Sequence, residues 1–172
     1  NIIASKLSQL RQKEAKNLEK TLVEYLTTLK LPAISFEFSS VTLEQSGTDS
    51  VEVMLGSSKT ATLSGGEFNR VRLALMATTM PTNKSKQGVL ILDEIDANVS
   101  GDESIAIAEM IYKLSSVYQV FAISHQPHLS AKAHQHIVVT KVGQNSRVEV
   151  LNDMTRVSEI ARIIAGENPT EE

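Results

Sequence analysis

Three short runs of this sequence carry side chains able to act on a phosphate. The first is Leu63-Ser64-Gly65-Gly66-Glu67. Ser64, with Glu67 three residues on, is the pattern of a reciprocal helix cap, and a plain helix start would account for both. It does not account for two glycines in the first turn, because glycine costs a helix roughly 1 kcal/mol relative to alanine. Two positions without side chains let another molecule approach the backbone closely. The first N–H groups of a helix have no partner inside it and carry partial positive charge, so a glycine-rich start suits phosphate. The second run is Val89-Leu90-Ile91-Leu92-Asp93-Glu94. Four apolar residues running into two acids read as a buried strand that empties into a cleft, and open α/β sheets bind ligands at the carboxyl ends of their strands. Asp93 is placed to hold Mg²⁺ directly or through water. Glu94 is placed to orient or deprotonate an attacking water. One acid at a strand end is routine for solubility; two in a row are less so. The third run is Val120-Phe121-Ala122-Ile123 followed by Ser124-His125. A histidine there can reach a terminal phosphate, although a lone histidine is more often structural.

The elements that must position these residues follow from periodicity. From Ser64 onward, helical and strand patterns alternate. Ser64–Thr79 reads as a helix, Val89–Asp93 as a buried strand, Glu103–Ser115 as a helix with Ile107, Ile111 and Leu114 on one face, and Val120–Ser124 as a second buried strand. Pro127–Ala133 is a short helix. Ile137–Thr140 and Arg147–Leu151 pair across a Gly143–Asn145 turn, and Arg156–Ala165 is a final helix stopped by Gly166. This order predicts an α/β layer with a mainly parallel sheet. Before it comes an antiparallel hairpin. Ile34, Phe36 and Phe38 alternate with polar residues, Val41 and Leu43 continue, Gln45–Ser50 is turn chemistry, and Val51, Val53 and Leu55 return. The first thirty residues read as one amphipathic helix, with Ile3, Leu7, Leu10, Ala15, Leu18, Leu22, Leu26 and Leu29 at mostly three- and four-residue steps. Pro32 disfavours helical geometry at Leu31 and sets the expected end there. The helix is either a surface helix or the last turns of a coiled-coil arm. Lys6, Arg11, Lys13, Lys16 and Lys20 read as its solvated face rather than a DNA site.

Composition narrows the function classes. The 172 residues suffice for one domain with a core. No apolar run approaches the roughly 18–20 residues of a membrane span, and the start lacks the pattern of a secretory signal. With no cysteine, disulfides and thiolate zinc sites are excluded, which fits a cytosolic protein. A net charge of −3 announces no nucleic-acid surface. Opening on Asn1 rather than methionine leads us to expect a piece of a longer chain.

Taken together and in order, from Leu63 to His125, the three runs resemble the second half of an ABC-type ATPase head. The resemblance implies that Ser64, Gly65, Gly66 and Glu67 form the signature motif that meets ATP. It makes Asp93 the Mg²⁺-holding Walker B aspartate, Glu94 the catalytic glutamate and His125 the switch histidine. Asp96 to Ser100 becomes a loop lining the head–head interface, with Asp96 and Ser100 among the residues that bind the nucleotide. The flanks narrow it further. Asp93-Glu94-Ile95-Asp96-Ala97-Asn98-Val99-Ser100-Gly101 is similar to the DEIDxGVSG run of RecN-type, SMC-like DNA-repair proteins. Transporters usually have proline after Asp-Glu and end the run on Leu-Asp, and SMC proteins usually keep that late aspartate where Ser100 stands here. Asn98 replaces the usual glycine, and Asn tolerates left-handed geometry better than most residues. Gln119-Val120 through Ser124-His125-Gln126-Pro127, the closing Glu159-Ile160-Ala161-Arg162 with Gly166, and Leu63 through Arg70 also look like this family, although its members more often begin the signature with Ala-Ser.

The resemblance favours the arm over the surface helix. It implies a division into 1–31 as the end of a coiled-coil arm, 32–166 as the carboxy-terminal lobe of the head, and 167–172 as a flexible tail. The phosphate-binding loop is missing: Gly56-Ser57-Ser58-Lys59-Thr60 has Ser58 and Val53 where the motif needs glycine. By resemblance that loop lies in an amino-terminal lobe of the same protein, so the lone chain is expected to be inactive. The resemblance also implies ATP and Mg²⁺ as cofactors and an ATP-dependent pair of heads, with Ser64 and the glycines reaching across to the ATP of the opposite head. It implies double-stranded DNA as partner of the full-length protein, no membrane, and a bacterial cytoplasmic setting at the nucleoid during repair. Competing readings are another SMC-like or ABC ATPase, a transporter subunit included, and a non-catalytic interaction module. A transporter should show a helical region fed by a glutamine-bearing loop before its signature, and a dead module has no chemical need of both Asp93 and Glu94.

Overall fold

The structure is a computed structural model that describes residues 2–80, 88–99 and 101–166. The chain divides into two units, Asn1–Lys84 and Ser85–Glu172.

In the first unit, helix α1 spans Ile2–Thr28. It stops before the expected limit at Leu31, and the local cause is Lys30, which turns to φ +57°. The Leu31 amide donates to the Leu26 carbonyl at 2.9 Å and the Lys30 amide to Thr27 at 3.1 Å. This is the left-handed helix stop usually given to glycine. Leu26 and Leu31, the pair that meets across such a stop, are both buried. Strands β1 (Ile34–Glu44) and β2 (Gly47–Leu55) then pair antiparallel, from Ile34 opposite Leu55 to Ser40 opposite Asp49. An irregularity between Ser40 and Glu44 absorbs extra residues, so the turn is shorter than expected and Gly47 sits at φ +109°. The hairpin lies along α1. Ser8 Oγ donates to Asp49 Oδ1 at 2.7 Å, Arg11 lies 3.5 Å from the other oxygen, and the Phe36 amide donates to Glu19 at 2.9 Å.

After a tight turn at Gly56, strand β3 (Ser58–Lys59) pairs with β2, an addition the sequence did not signal. Lys59 ion-pairs with Glu52 at 2.7 Å, which raises its pKa and agrees with a structural rather than phosphate-binding role for this stretch. A 3-10 turn over Thr60–Thr62 leads into helix α2 (Gly65–Thr78). Leu22, Leu26 and Leu29 of α1 and its end, Ile34 and Leu55 of the hairpin, and Val71, Leu73, Ala74 and Ala77 of α2 form the buried core.

The second unit is built on one crossover. Strand β4 (Val89–Asp93), helix α3 (Asp102–Leu114) and strand β5 (Gln119–Ile123) place the two strands parallel, Val89 beside Gln119 and Asp93 beside Ile123. Helix α4 (Pro127–Lys132) packs on α3. Strands β6 (Ile137–Val142) and β7 (Asn145–Val150) form an antiparallel hairpin turning at Gly143. Helix α5 (Asp153–Ala165) begins earlier than its apolar periodicity suggests, because Asn152 and Thr155 exchange capping bonds at 2.9 and 3.0 Å, and it ends before Gly166 at φ +89°.

The expectation that β4 and β5 are buried is corrected. Only Leu92 is buried, while Val89, Ile91, Phe121 and Ile123 are exposed, Ile91 by 73%. The register puts these four on one face of the sheet, and among the described residues nothing covers it. Leu90, Leu92 and Val120, on the other face, are half-buried or buried. Among the described residues the parallel sheet is a single pair of strands, and the other two sheets are antiparallel.

Candidate functional site

The site residues fall in both units. In the first, Ser64 caps α2. Its hydroxyl accepts from the Glu67 amide at 3.2 Å, and the Glu67 carboxylate accepts from the Ser64 amide at 2.9 Å. Glycines occupy the next two positions; Gly65 is exposed and Gly66 buried. The cap satisfies the amide of Glu67 and leaves those of Gly65 and Gly66, which a helix cannot satisfy internally. The Glu67 carboxyl is held below its ordinary pKa by the Ser64 amide first and the Ser64 hydroxyl second. The Ser64 hydroxyl donates to the Glu67 carboxylate at 2.9 Å, so the helix start offers the two glycine amides as donors that fit a phosphate oxygen.

Farther along α2 lies a residue to which the sequence reading gave no task. Arg70 is only 4% exposed. It donates to the Leu29 carbonyl at 3.1 Å, more weakly to Lys30 at 3.5 Å, and to Gly66 at 3.4 Å. It therefore connects the glycine-bearing start of α2 to the last carbonyls of α1. Its place in the Leu63–Arg70 run was visible; its burial was not.

In the second unit, the parallel register brings two strand ends side by side. Asp93 and Glu94 close β4, Ser124 and His125 follow β5, and the Glu94 amide donates to the Ile123 carbonyl at 3.0 Å. Asp93, Glu94 and His125 are exposed. Glu94 adopts φ +46° and Asn98 φ +60°, so the chain makes two left-handed turns within this loop. Asp96 points inward. It is 1% exposed and accepts a hydrogen bond from Ser124 through Oδ2, while Oδ1 has no partner among the described residues. Ser124 Oγ also accepts from the Gln126 amide at 2.8 Å, and the Gln126 side chain donates to the Val99 carbonyl at 3.2 Å. Ser100 lies outside the described residues, as does the expected tail 167–172.

The chemistry of these donors bears on Mg²⁺. Among the described residues no group of three or more His, Cys, Asp or Glu could enclose a metal. Mg²⁺ commonly takes only one or two carboxylates and completes its octahedron with water and phosphate oxygens. An exposed aspartate at a strand end fits that role.

No family model matches the chain. Among curated proteins, it is 44% identical over 138 residues to the DNA repair protein RecN of Helicobacter pylori, covering 80% of this chain and 26% of that one. It is 35% identical to DNA repair protein RecN of Rickettsia conorii, covering 98% and 33%. The same protein of Halalkalibacterium halodurans is also 35% identical, covering 96% and 32%. The chain is RecN-like. It spans between a quarter and a third of the length of these relatives. Among solved structures, this RecN-like chain superposes on a Pyrococcus yayanosii Smc head domain carrying a coiled coil and joint, with TM-score 0.64 and 23% identity over 88% of this chain and 29% of that one. It also matches a structure described as ATP-driven dimerization and DNA-stimulated activation of SMC ATPases, with TM-score 0.62 and 20% identity over 95% and 99%. The fold is that of an SMC head half, an ABC-type ATPase architecture. No helix among the described residues is long and apolar enough to cross a membrane.

Proposed function

We propose that this chain is the carboxy-terminal lobe of the head of an SMC-like DNA-repair ATPase, working in the bacterial cytoplasm on double-stranded DNA. The observation that carries the reading is the pair of parallel strand ends setting Asp93 and Glu94 beside Ser124 and His125, in a chain that also holds a glycine-bearing, capped helix start. The names of the RecN relatives support the repair role. ATP-driven dimerization is taken from the description of a fold neighbour.

In this reading Asp93 would hold Mg²⁺, and the ion would supply positive charge to the phosphates. Glu94 accepts the proton of the attacking water or orients it. His125 donates toward the terminal phosphate, and Ser64 with the Gly65 and Gly66 amides binds the phosphate presented by a second head. Asp96 and Ser100 belong to the loop at that head–head boundary. The division is residues 1–31 as arm, 32–166 as lobe and 167–172 as tail.

Two exposed apolar surfaces support the partners. The outer half of the α1 stripe, Ile2, Ile3, Leu7 and Leu10, is exposed, as expected of an arm helix that packs on another. The face of Val89, Ile91, Phe121 and Ile123 is the kind of apolar patch that marks an interaction surface. The amino-terminal lobe, with its phosphate-binding loop, is its proposed cover. Alone, this chain is expected to hydrolyse no ATP, and turnover by the pure chain that Glu94→Gln abolishes would overturn that. The test of the main reading is steady-state ATP hydrolysis by the full-length parent, with and without linear double-stranded DNA. Turnover that rises with DNA and vanishes in Glu94→Gln is expected. Turnover that survives Glu94→Gln refutes the assignment of the site, and indifference to DNA refutes the repair role.

A further inference from the structure

The turn that carries Glu94 and the turn that carries His125 are joined by polar contacts in which neither side chain takes part. The Glu94 amide is held by the Ile123 carbonyl. Asp96, two residues on, is held by the Ser124 hydroxyl. Ser124 in turn receives the Gln126 amide, and Gln126 reaches back to the Val99 carbonyl. The loop after β4 is thus fastened to the loop after β5 at its start, middle and end. Hydrophobic packing alone would anchor it, since Ile95 and Val99 are already buried on either side. A buried carboxylate with one oxygen unpartnered among the described residues is an expensive addition to such an anchor. The backbone it restrains is also unusual. Glu94 stands at φ +46°, a region that a residue with a side chain holds only when its neighbours over-determine it.

We propose that Asp96, acting through Ser124, is a positioning residue for hydrolysis, fixing the Glu94 turn against the His125 turn so that the two side chains keep one separation. The proposal rests on the reading of Glu94 as the group that activates water. Asp96 is buried and its carboxylate faces Ser124, so in this proposal it works through Ser124 rather than on the nucleotide, and its loss costs turnover and leaves nucleotide affinity alone. A displacement of about 1 Å at a catalytic group costs on the order of 100-fold in rate.

The test compares Ser124→Ala, Ser124→Thr, Asp96→Asn and the double variant Asp96→Asn/Ser124→Ala in the full-length parent. Readouts are kcat, KM, binding of a fluorescent non-hydrolysable ATP analogue, and thermal unfolding. Ser124→Ala is expected to lower kcat by about 10- to 100-fold with analogue affinity unchanged. Ser124→Thr, which keeps the hydroxyl, restores the rate. The double variant is no slower than the slower single variant. Full kcat in Ser124→Ala, affinity that falls in step with kcat, or losses that multiply in the double variant would each overturn the proposal. Should Asp96→Asn fail to fold, Ser124→Ala and its threonine rescue decide alone. Glu94→Gln is run alongside. If it keeps turnover, the underlying reading and this proposal fall together. If it is inactive while Ser124→Ala runs at full rate, only the positioning role is lost.

Discussion

Replacing Arg70 with alanine should loosen the first unit and leave the second alone. Arg70 is buried, and it donates to the Leu29 carbonyl at 3.1 Å. That carbonyl belongs to the end of α1, where a helix has no internal donors to offer. A hydrogen bond from a charged group contributes about 1.5–3 kcal/mol. The bonds to Lys30 and Gly66, at 3.5 and 3.4 Å, lie near the outer limit of useful geometry and add little. The buried stem adds roughly 0.8 kcal/mol per methylene, against which stands the desolvation of the guanidinium that the variant no longer suffers. The net expectation is a loss of about 3 kcal/mol for Arg70→Ala. About half of that is expected for Arg70→Met, which keeps the stem and drops the donors. The assay is amide hydrogen exchange by mass spectrometry on the full-length parent, because local opening is then read segment by segment. Peptides covering the end of α1 and the start of α2 should lose protection by about 100-fold, at 1.4 kcal/mol per factor of ten. Peptides from β4 to α5 should not change. Unaltered protection in the first unit, or an equal loss in both units, would refute the reasoning.

The remaining predictions are shorter. Glu94→Gln should lower kcat at least about 100-fold in a steady-state ATPase assay, whereas Glu94→Gly should abolish turnover and yet stabilise the fold by about 0.5–1 kcal/mol, since glycine carries no penalty at φ +46°; a lower melting temperature for Glu94→Gly would contradict the strain argument. Ser64→Ala should cost about 1 kcal/mol of helix stability through the lost cap. Ser64→Arg should prevent the ATP-dependent dimer that Glu94→Gln traps, a contrast that light scattering with ATP would reveal; the same oligomer for both would sink the division of roles. Acid should weaken the second unit through His136. Burial, then the Arg156 charge, holds its pKa below the ordinary 6.5, with Glu159 pulling the other way. The unfolded chain therefore takes up the proton first, so this contribution is complete above about pH 6.5 and declines below it. Unfolding midpoints from pH 7.5 to 5 should fall less steeply in His136→Gln than in the parent.

What the sequence revealed and what it hid divide along physical lines. Local patterns were legible: the alternation of Ile34, Phe36 and Phe38 yields β1, and the Ser64–Glu67 cap opens α2. The order of the three polar runs was legible too, because short motifs need no tertiary context. Burial was misjudged at β4 and β5, since an apolar run specifies a preference for cover without specifying what supplies it. The stop of α1 came early because Lys30 accepts a left-handed conformation that sequence rules reserve for glycine and asparagine. Strand β3 is two residues long, too short to show any period. The start of α5 was hidden by an Asn152–Thr155 cap that lacks the usual acid at its third position. The inward turn of Asp96 and the burial of Arg70 depend on distant partners, Ser124 and Leu29, and no spacing along the chain announces them.

The grip of the hairpin on α1 has a mechanical meaning. Arg70 holds the base of the helix, Phe36 binds Glu19, and Asp49 fastens Ser8 and Arg11 near the far end. Helix and hairpin are therefore one stiff lever rather than a rod on a swivel. At 1.5 Å per residue the helix is about 40 Å long, so a rotation of about 10° at its base sweeps the far end through roughly 7 Å. Small movements at the glycine-bearing start of α2 would arrive at the other end magnified, with little lost to bending on the way.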